Sequence, residues 1–257
     1  MTYTEILYEV TPAEHLARLT LNRPDRRNPL GPAMLGEICH ALAAARDDPA
    51  VRVVILTGAG KAFCAGGDLK AMEQSQTNGL TGTFVEANLL IGRLGKPVIA
   101  MVNGPALAGG FGLMLSCHLV VAADTAVFGT PEINVGLWPM TIMAVILRNL
   151  GRKPALELIL TGEAINAAAA AALGLVNRVV PPERLEEETL ALARKLAKKS
   201  PVVLKLGLDA LFAAQDLPLE RALHHLEGEF FALLETADAR EGLRAFVEKR
   251  EPVWQGQ

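Results

Sequence analysis

Three short stretches of this 257-residue chain carry residue types that could do chemistry together. The longest is Asn103-Gly104-Pro105-Ala106-Leu107-Ala108-Gly109-Gly110-Phe111-Gly112, set between the apolar runs 97–102 and 113–115. That order reads as a strand running into a glycine-rich turn that opens a helix. Glycine lets a ligand approach the backbone closely, and the first N–H groups of a helix have no intrahelical acceptor. With the positive end of the helix dipole, they suit an oxygen gaining negative charge. The second stretch, Lys61-Ala62-Phe63-Cys64-Ala65-Gly66-Gly67-Asp68-Leu69-Lys70, follows another apolar run at 51–56. The third, Gly129-Thr130-Pro131-Glu132, offers a carboxylate followed by the mainly apolar 133–140. Apolar surroundings would raise its pKa and suit it to general-base work.

For the two glycine turns to meet, the strands before them must be neighbours. Strands are expected at 6–10, 15–21, 51–56, 97–102 and 118–123. Helical spacing links Met34, Leu35, Ile38, Leu42 and Ala45, and a further helix is expected at 84–94. The alternation predicts an α/β fold with a largely parallel sheet, in which both turns lie at one sheet edge. Beyond 139 the pattern gives helices at 141–150, 154–160 and 167–173, a strand at 175–180, and helices only at 185–199, 202–214, 219–234 and 240–249. Leu219, Leu223, Leu226, Phe230 and Leu234 recur at helical spacing, an apolar face for core packing or for subunit contacts. The polar run 74–82 reads as the most mobile stretch.

Composition limits the function classes. Half the chain is hydrophobic (51%), which fits a globular core, and a net charge of −3 argues against a nucleic-acid surface. Cys39, Cys64 and Cys117 lack zinc spacing and fit a reducing compartment. The first ten residues are mixed, unlike a signal peptide. The apolar region 98–123 contains Asn103, Pro105, Ser116 and His118, so it reads as strand–turn–helix–strand and not as a membrane span. The expectation is a soluble, cytoplasmic protein without nucleic-acid or membrane partners. Gly110-x-Gly112, with Glu132 twenty residues on, fails as a dinucleotide fingerprint because Leu115 stands where the third glycine belongs. Ser116 lies in no G-x-S-x-G elbow. His118 reads as a satisfied core histidine, and His224 and His225 as surface residues.

The chain resembles the crotonase family, also called the enoyl-CoA hydratase/isomerase family, nearly end to end. The resemblance is carried by Leu21-Asn22-Arg23-Pro24 with Arg27-Asn28, Ala62 to Leu69, Lys96-Pro97 with Asn103-Gly104 and the glycine turn, Phe128 to Glu132 with Gly136, Leu160 to Glu163 with Ala172 to Val176, and the 239–250 region. It implies a crotonase-like spiral of β-β-α units over 1–190 and a helical C-terminal trimerisation region over 191–257, commonly a homotrimer or dimer of trimers. It implies an acyl-CoA thioester substrate and no separate cofactor or metal. The Gly67 and Gly109 N–H groups would form the oxyanion hole and Glu132 would be the catalytic carboxylate. Ala65, Asp68, Leu69 and Lys70 would line the CoA site, with Lys249 at the nucleotide phosphates.

The pattern departs from the family's hydratases in two places. Their first glutamate falls at Gly112, and a small glycine near the water falls at Met140, in the bulky segment Met140-Thr141-Ile142-Met143-Ala144-Val145. With Gly112, Trp138 and Met140 at a narrow acyl pocket, one carboxylate suits removal of a proton from C2 and its return at C4. Double-bond isomerisation is therefore the leading expectation. Hydration, decarboxylation, thioester hydrolysis and CoA-thioester binding with little turnover are the alternatives.

Overall fold

The structure is a computed structural model that describes residues 2–68 and 82–257. Leu69, Lys70 and most of the polar run 74–82 lie outside the described residues.

Strand β3 (Val53–Gly58) is buried at every position, as a strand covered on both faces must be. It lies parallel to β2 (Leu16–Leu21) on one side and β4 (Val98–Val102) on the other. β1 (Ile6–Thr11) forms an antiparallel hairpin with β2. β6 (Leu119–Ala123) and β9 (Arg178–Val180) extend the other edge, giving the order β1-β2-β3-β4-β6-β9. A second, three-stranded sheet joins β5 (Ala106–Leu107), β7 (Val127–Gly129) and β8 (Ile165–Asn166). The chain repeats itself: β4 and β5 lead into helix α3 (Gly109–Ser116), and β6 and β7 lead into a 3₁₀ turn, Pro131–Val135, and helix α4 (Met140–Asn149). This is the expected β-β-α spiral.

Alternation along the strands divides the core. Val54, Leu56, Val98, Ala100, Val102, Val120 and Ala122 face the larger cluster, which helix α1 (Pro32–Asp47) and α3 also enter. Val53, Ile55, Ile99, Met101, Val121 and Ala123 face the other side and pack with Leu185, Ala193 and Ala197 of helix α7 (Leu185–Ala197). The helices between are α2 (Phe84–Gly92), α5 (Arg152–Thr161) and α6 (Ala167–Ala172).

Two expectations need correction. The division at 190/191 falls inside α7, which packs on the sheet at both its ends, so α7 belongs with the spiral. The C-terminal layer is α8 (Pro201–Ala214), α9 (Leu219–Leu234) and α10 (Ala237–Glu248). The strand expected from 175 starts at Arg178, because Leu175 N is taken up in closing α6 against Ala170 O at 2.9 Å. Of the two readings left open for α9, the exposed row fits the second: the helix buries no residue, and Leu219, Leu223 and Phe230 are 76%, 59% and 55% exposed. Among the described residues no helix is long and apolar enough to cross a membrane.

The close approach of the two glycine turns depends on Gly110. A Cβ there would lie 2.6 Å from Cys64 Cβ and 2.8 Å from Cys64 Sγ. Gly110→Ala is expected to lower stability by about 1–3 kcal/mol through overpacking, read as a lower urea midpoint at unchanged slope.

Candidate active site

The segment after β3 runs between two neighbours. On one side Leu30 N donates to Gly66 O (2.7 Å) and Asp68 N donates to Leu30 O (2.9 Å). In such a parallel bridge the residue between these two groups directs its own N–H the other way, so the Gly67 N–H faces away from Leu30. On the second side Cys64 N donates to Pro105 O (3.1 Å) and Leu107 N donates to Cys64 O (2.9 Å), which seats β5 and the start of α3 beside it.

Gly109 is the first residue of α3, where a backbone N–H has no intrahelical partner. Ala108, just before it, holds φ 49° and ψ −125°, the geometry of the first central residue of a type II′ turn, normally glycine. This strained ψ sets the plane of the peptide that carries the Gly109 N–H. A Cβ built on Gly109 would lie 3.8 Å from Gly67 N, so the two amides border one small space. Gly67 is exposed and Gly109 half-buried. Among the described residues no acceptor meets either N–H.

Glu132 comes from the adjacent segment of the same chain. β5 and β7 are parallel with Leu107 opposite Gly129, and Ala108 N donates to Gly129 O at 2.9 Å. The Gly109 turn and the Pro131–Val135 turn therefore leave the small sheet side by side. Thr130 Oγ1 donates to Leu158 O (2.9 Å) and Leu137 N donates to Glu132 O (3.0 Å), which fixes the loop. Glu132 Oε2 is buried and meets no hydrogen-bond donor among the described residues. Burial holds its pKa above the ordinary glutamate value. Buried polar atoms are nearly always satisfied, so such an orphan calls for a functional explanation.

Two polar devices brace the first turn. Asn28, fully buried, donates from Nδ2 to Ala59 O and Ala62 O, both at 2.9 Å, and accepts from Arg23 N at 2.8 Å. Arg23 Nη1 bridges Asp68 Oδ2 (2.9 Å) and Glu5 Oε1 (3.1 Å). Burial raises the pKa of Glu5, the neighbouring Arg23 opposes that shift, and the Glu37 and Asp68 charges add to it. Arg23 and Asn28 stood in the signature stretch, but their bracing role was not foreseen; a buried asparagine after Arg-Pro was the available signal.

The other expected site residues divide. Asp68 has a side chain only 8% exposed, and its carboxylate pairs with Arg23. Ala65 lies on the same strand segment, its N–H donating to Arg27 O at 2.9 Å. Gly112 sits one helical turn after Gly109. Trp138 packs against the main core, whereas Met140 is 69% exposed at the start of α4 and does not narrow an enclosed pocket in this chain. Lys249 lies at the exposed end of α10, which packs on α8 and α9 and not on the two glycine turns. His118 Nδ1 accepts from Val98 N at 3.0 Å, a structural role. His224 is exposed and His225 half-buried. Among the described residues no three His, Cys, Asp or Glu side chains converge as a metal-ligand set.

Comparison with known proteins gives a consistent answer. A sequence family described as "Enoyl-CoA hydratase/isomerase" matches residues 12–257. A Thermus thermophilus protein, assigned by name to the enoyl-CoA hydratases, is 42% identical over 245 residues, covering 93% of this chain and 96% of its own length. The 2,3-dehydroadipyl-CoA hydratase of Escherichia coli is 37% identical over 249 residues, with 96% and 98% coverage. A solved enoyl-CoA hydratase from Mycobacterium smegmatis superposes with a TM-score of 0.90 at 36% identity, covering 98% of this chain and 99% of that one.

Arg23→Ala is expected to leave the half-buried Glu5 and the buried Asp68 carboxylates facing each other and to lower stability by about 2–3 kcal/mol, less than for a fully buried pair because Arg23 stays a fifth exposed. Without the cation that opposes the shift, the folded-state pKa of Glu5 rises further. A raised carboxylate pKa weakens the fold as pH climbs through it. Urea titrations should therefore show a larger loss near neutrality than at mildly acid pH.

Proposed function

The chain belongs to the enoyl-CoA hydratase/isomerase family, and from that premise we propose that it moves the double bond of a 3-enoyl-CoA to the 2-position, with Glu132 as the one acid–base group. The observation that carries the reading is the buried, unpartnered Oε2 of Glu132 beside a turn whose Gly112 supplies no second carboxylate.

In this reading the thioester oxygen accepts from the Gly67 and Gly109 N–H groups. Glu132 takes a proton from C2, and the released pair forms a dienolate whose charge rests on that oxygen. The dienolate then collapses: the carbonyl reforms, the C2–C3 bond becomes double, and C4 takes the proton back from Glu132. Removing one donor of such a pair typically costs roughly 10²–10³ in rate, and a well-placed base contributes roughly 10²–10⁴. The raised pKa of Glu132 makes it a better proton acceptor once ionised, and a better donor for the return step, than an ordinary surface glutamate.

A second reading, addition of water to a 2-enoyl-CoA, is favoured by the names of the relatives. It requires a group other than residue 112 to help hold the water. Self-association through the exposed row of α9, with Leu219, Leu223 and Phe230, belongs to the same proposal. Phe230→Glu should convert a trimer or hexamer to smaller species in sedimentation.

Glu132→Gln should lower kcat for 3-enoyl-CoA isomerisation by roughly 10²–10⁴ with little change in KM. Because the base works only when ionised, activity should fall on acidification, with the midpoint of the acid limb above 4.5, the unperturbed glutamate value. Crotonyl-CoA hydration, followed by mass, separates the readings: hydration faster than isomerisation would favour the second.

A further inference from the structure

The place that Gly112 leaves vacant on its own helix is filled from two others. A Cβ on Gly112 would lie 2.5 Å from Ile142 Cγ2, 2.8 Å from Ile142 Cβ and 2.8 Å from Phe84 Cζ. Ile142 is 3% exposed, in the first turn of α4, and Ile146 one turn on is fully buried. Phe84 opens α2 and is tied down. Asn88 Nδ2 donates to Phe84 O at 2.7 Å, and Ser116 Oγ hydrogen-bonds both Asn88 Oδ1 and Gly112 O, the latter at 2.8 Å.

We propose that Ile142 and Phe84 are specificity-determining residues, an apolar stopper that denies a water attacking C3 of the 2-enoyl-CoA its second polar anchor. The inference rests on the isomerisation reading. Water addition at C3 needs its oxygen held in line while one proton leaves for a carboxylate and another reaches C2. Glu132 alone cannot both fix that water and serve C2, and an apolar wall offers no partner, because a water needs two to four polar contacts. Glu132 returns its proton to the dienolate at C4, and the 2-enoyl-CoA so formed meets no water held for attack at C3. Gly112, one turn from the Gly109 donor, belongs to this wall. It admits the α4 side chain, which fills the space that a side chain at this position would need.

The test is a product partition, the ratio of 3-hydroxyacyl-CoA made with heavy-oxygen water to isomer made in deuterated water. Both products need Glu132 and the same two amides, so loss of active enzyme does not move the ratio. Gly112→Glu alone should leave the partition at its starting value, because Ile142 occupies the space. Gly112→Glu with Ile142→Ala should raise it at least roughly tenfold. Ile142→Ala alone should not, because an apolar void stays dry. Ile142→Asn, which puts a polar group at the stopper without touching α3, should raise it too and covers the case in which the double variant does not fold. The proposal is overturned if Gly112→Glu alone matches the double variant, if Ile142→Ala alone does so, or if the folded, still isomerising double variant and Ile142→Asn both keep the original partition. Absence of isomerisation by the unaltered enzyme would instead sink the functional reading. The stopper is then still judged on 2-enoyl-CoA, by whether hydration needs both changes together.

Discussion

Two main-chain hydrogen bonds, Cys64 N to Pro105 O and Leu107 N to Cys64 O, are the constraint on which the site depends. They join the loop after β3 to the short strand after β4, two segments far apart in sequence and brought together because β3 and β4 pair in parallel. Every later feature inherits this join. Gly110 packs against Cys64 because the join leaves no room for a side chain. The Gly67 and Gly109 amides border one space because each lies a few residues beyond it. β7 then extends the small sheet in register and delivers Glu132 to the same edge.

Charge is managed by separation. Arg23 keeps the buried carboxylate next to the first donor neutralised from behind, and Asn28 ties the preceding turn with neutral hydrogen bonds. Glu132 receives no such cation. Its orphaned oxygen and burial keep it basic, while in the proposed reading the positive potential of the α3 N-terminus is left for the thioester oxygen. A cation beside Glu132 would lower its pKa and weaken it as a base.

Much of this was legible in the sequence because it rests on strong local signals. Val53 to Leu56 reads as a buried strand from its branched residues alone, and residues 219–234 read as a helix from leucine spacing. The glycine turns and Glu132 were visible as residue types in the right order. The sequence did not reveal β5, β7 and β8, because strands of two or three residues carry no period. The pairing of Asp68 was hidden because its partner, Arg23, lies 45 positions earlier. The apolar filling of the Gly112 position was equally hidden, since Phe84 and Ile142 are distant in sequence from it and from each other. Met140 was expected inside a pocket on the strength of its bulk, whereas helix α4 turns it outward.

Ala108 carries a consequence of its own. Alanine disfavours a φ of 49°, so the bend that aims the Gly109 amide is not a shape the free chain would visit often. It is held by the tertiary grip of Cys64 and Gly129, and it relaxes when that grip loosens. Warming or mild denaturant should therefore silence catalysis while the large sheet still stands. Lost turnover would then be an early indicator of fraying in the three-stranded sheet, well before the molecule as a whole gives way.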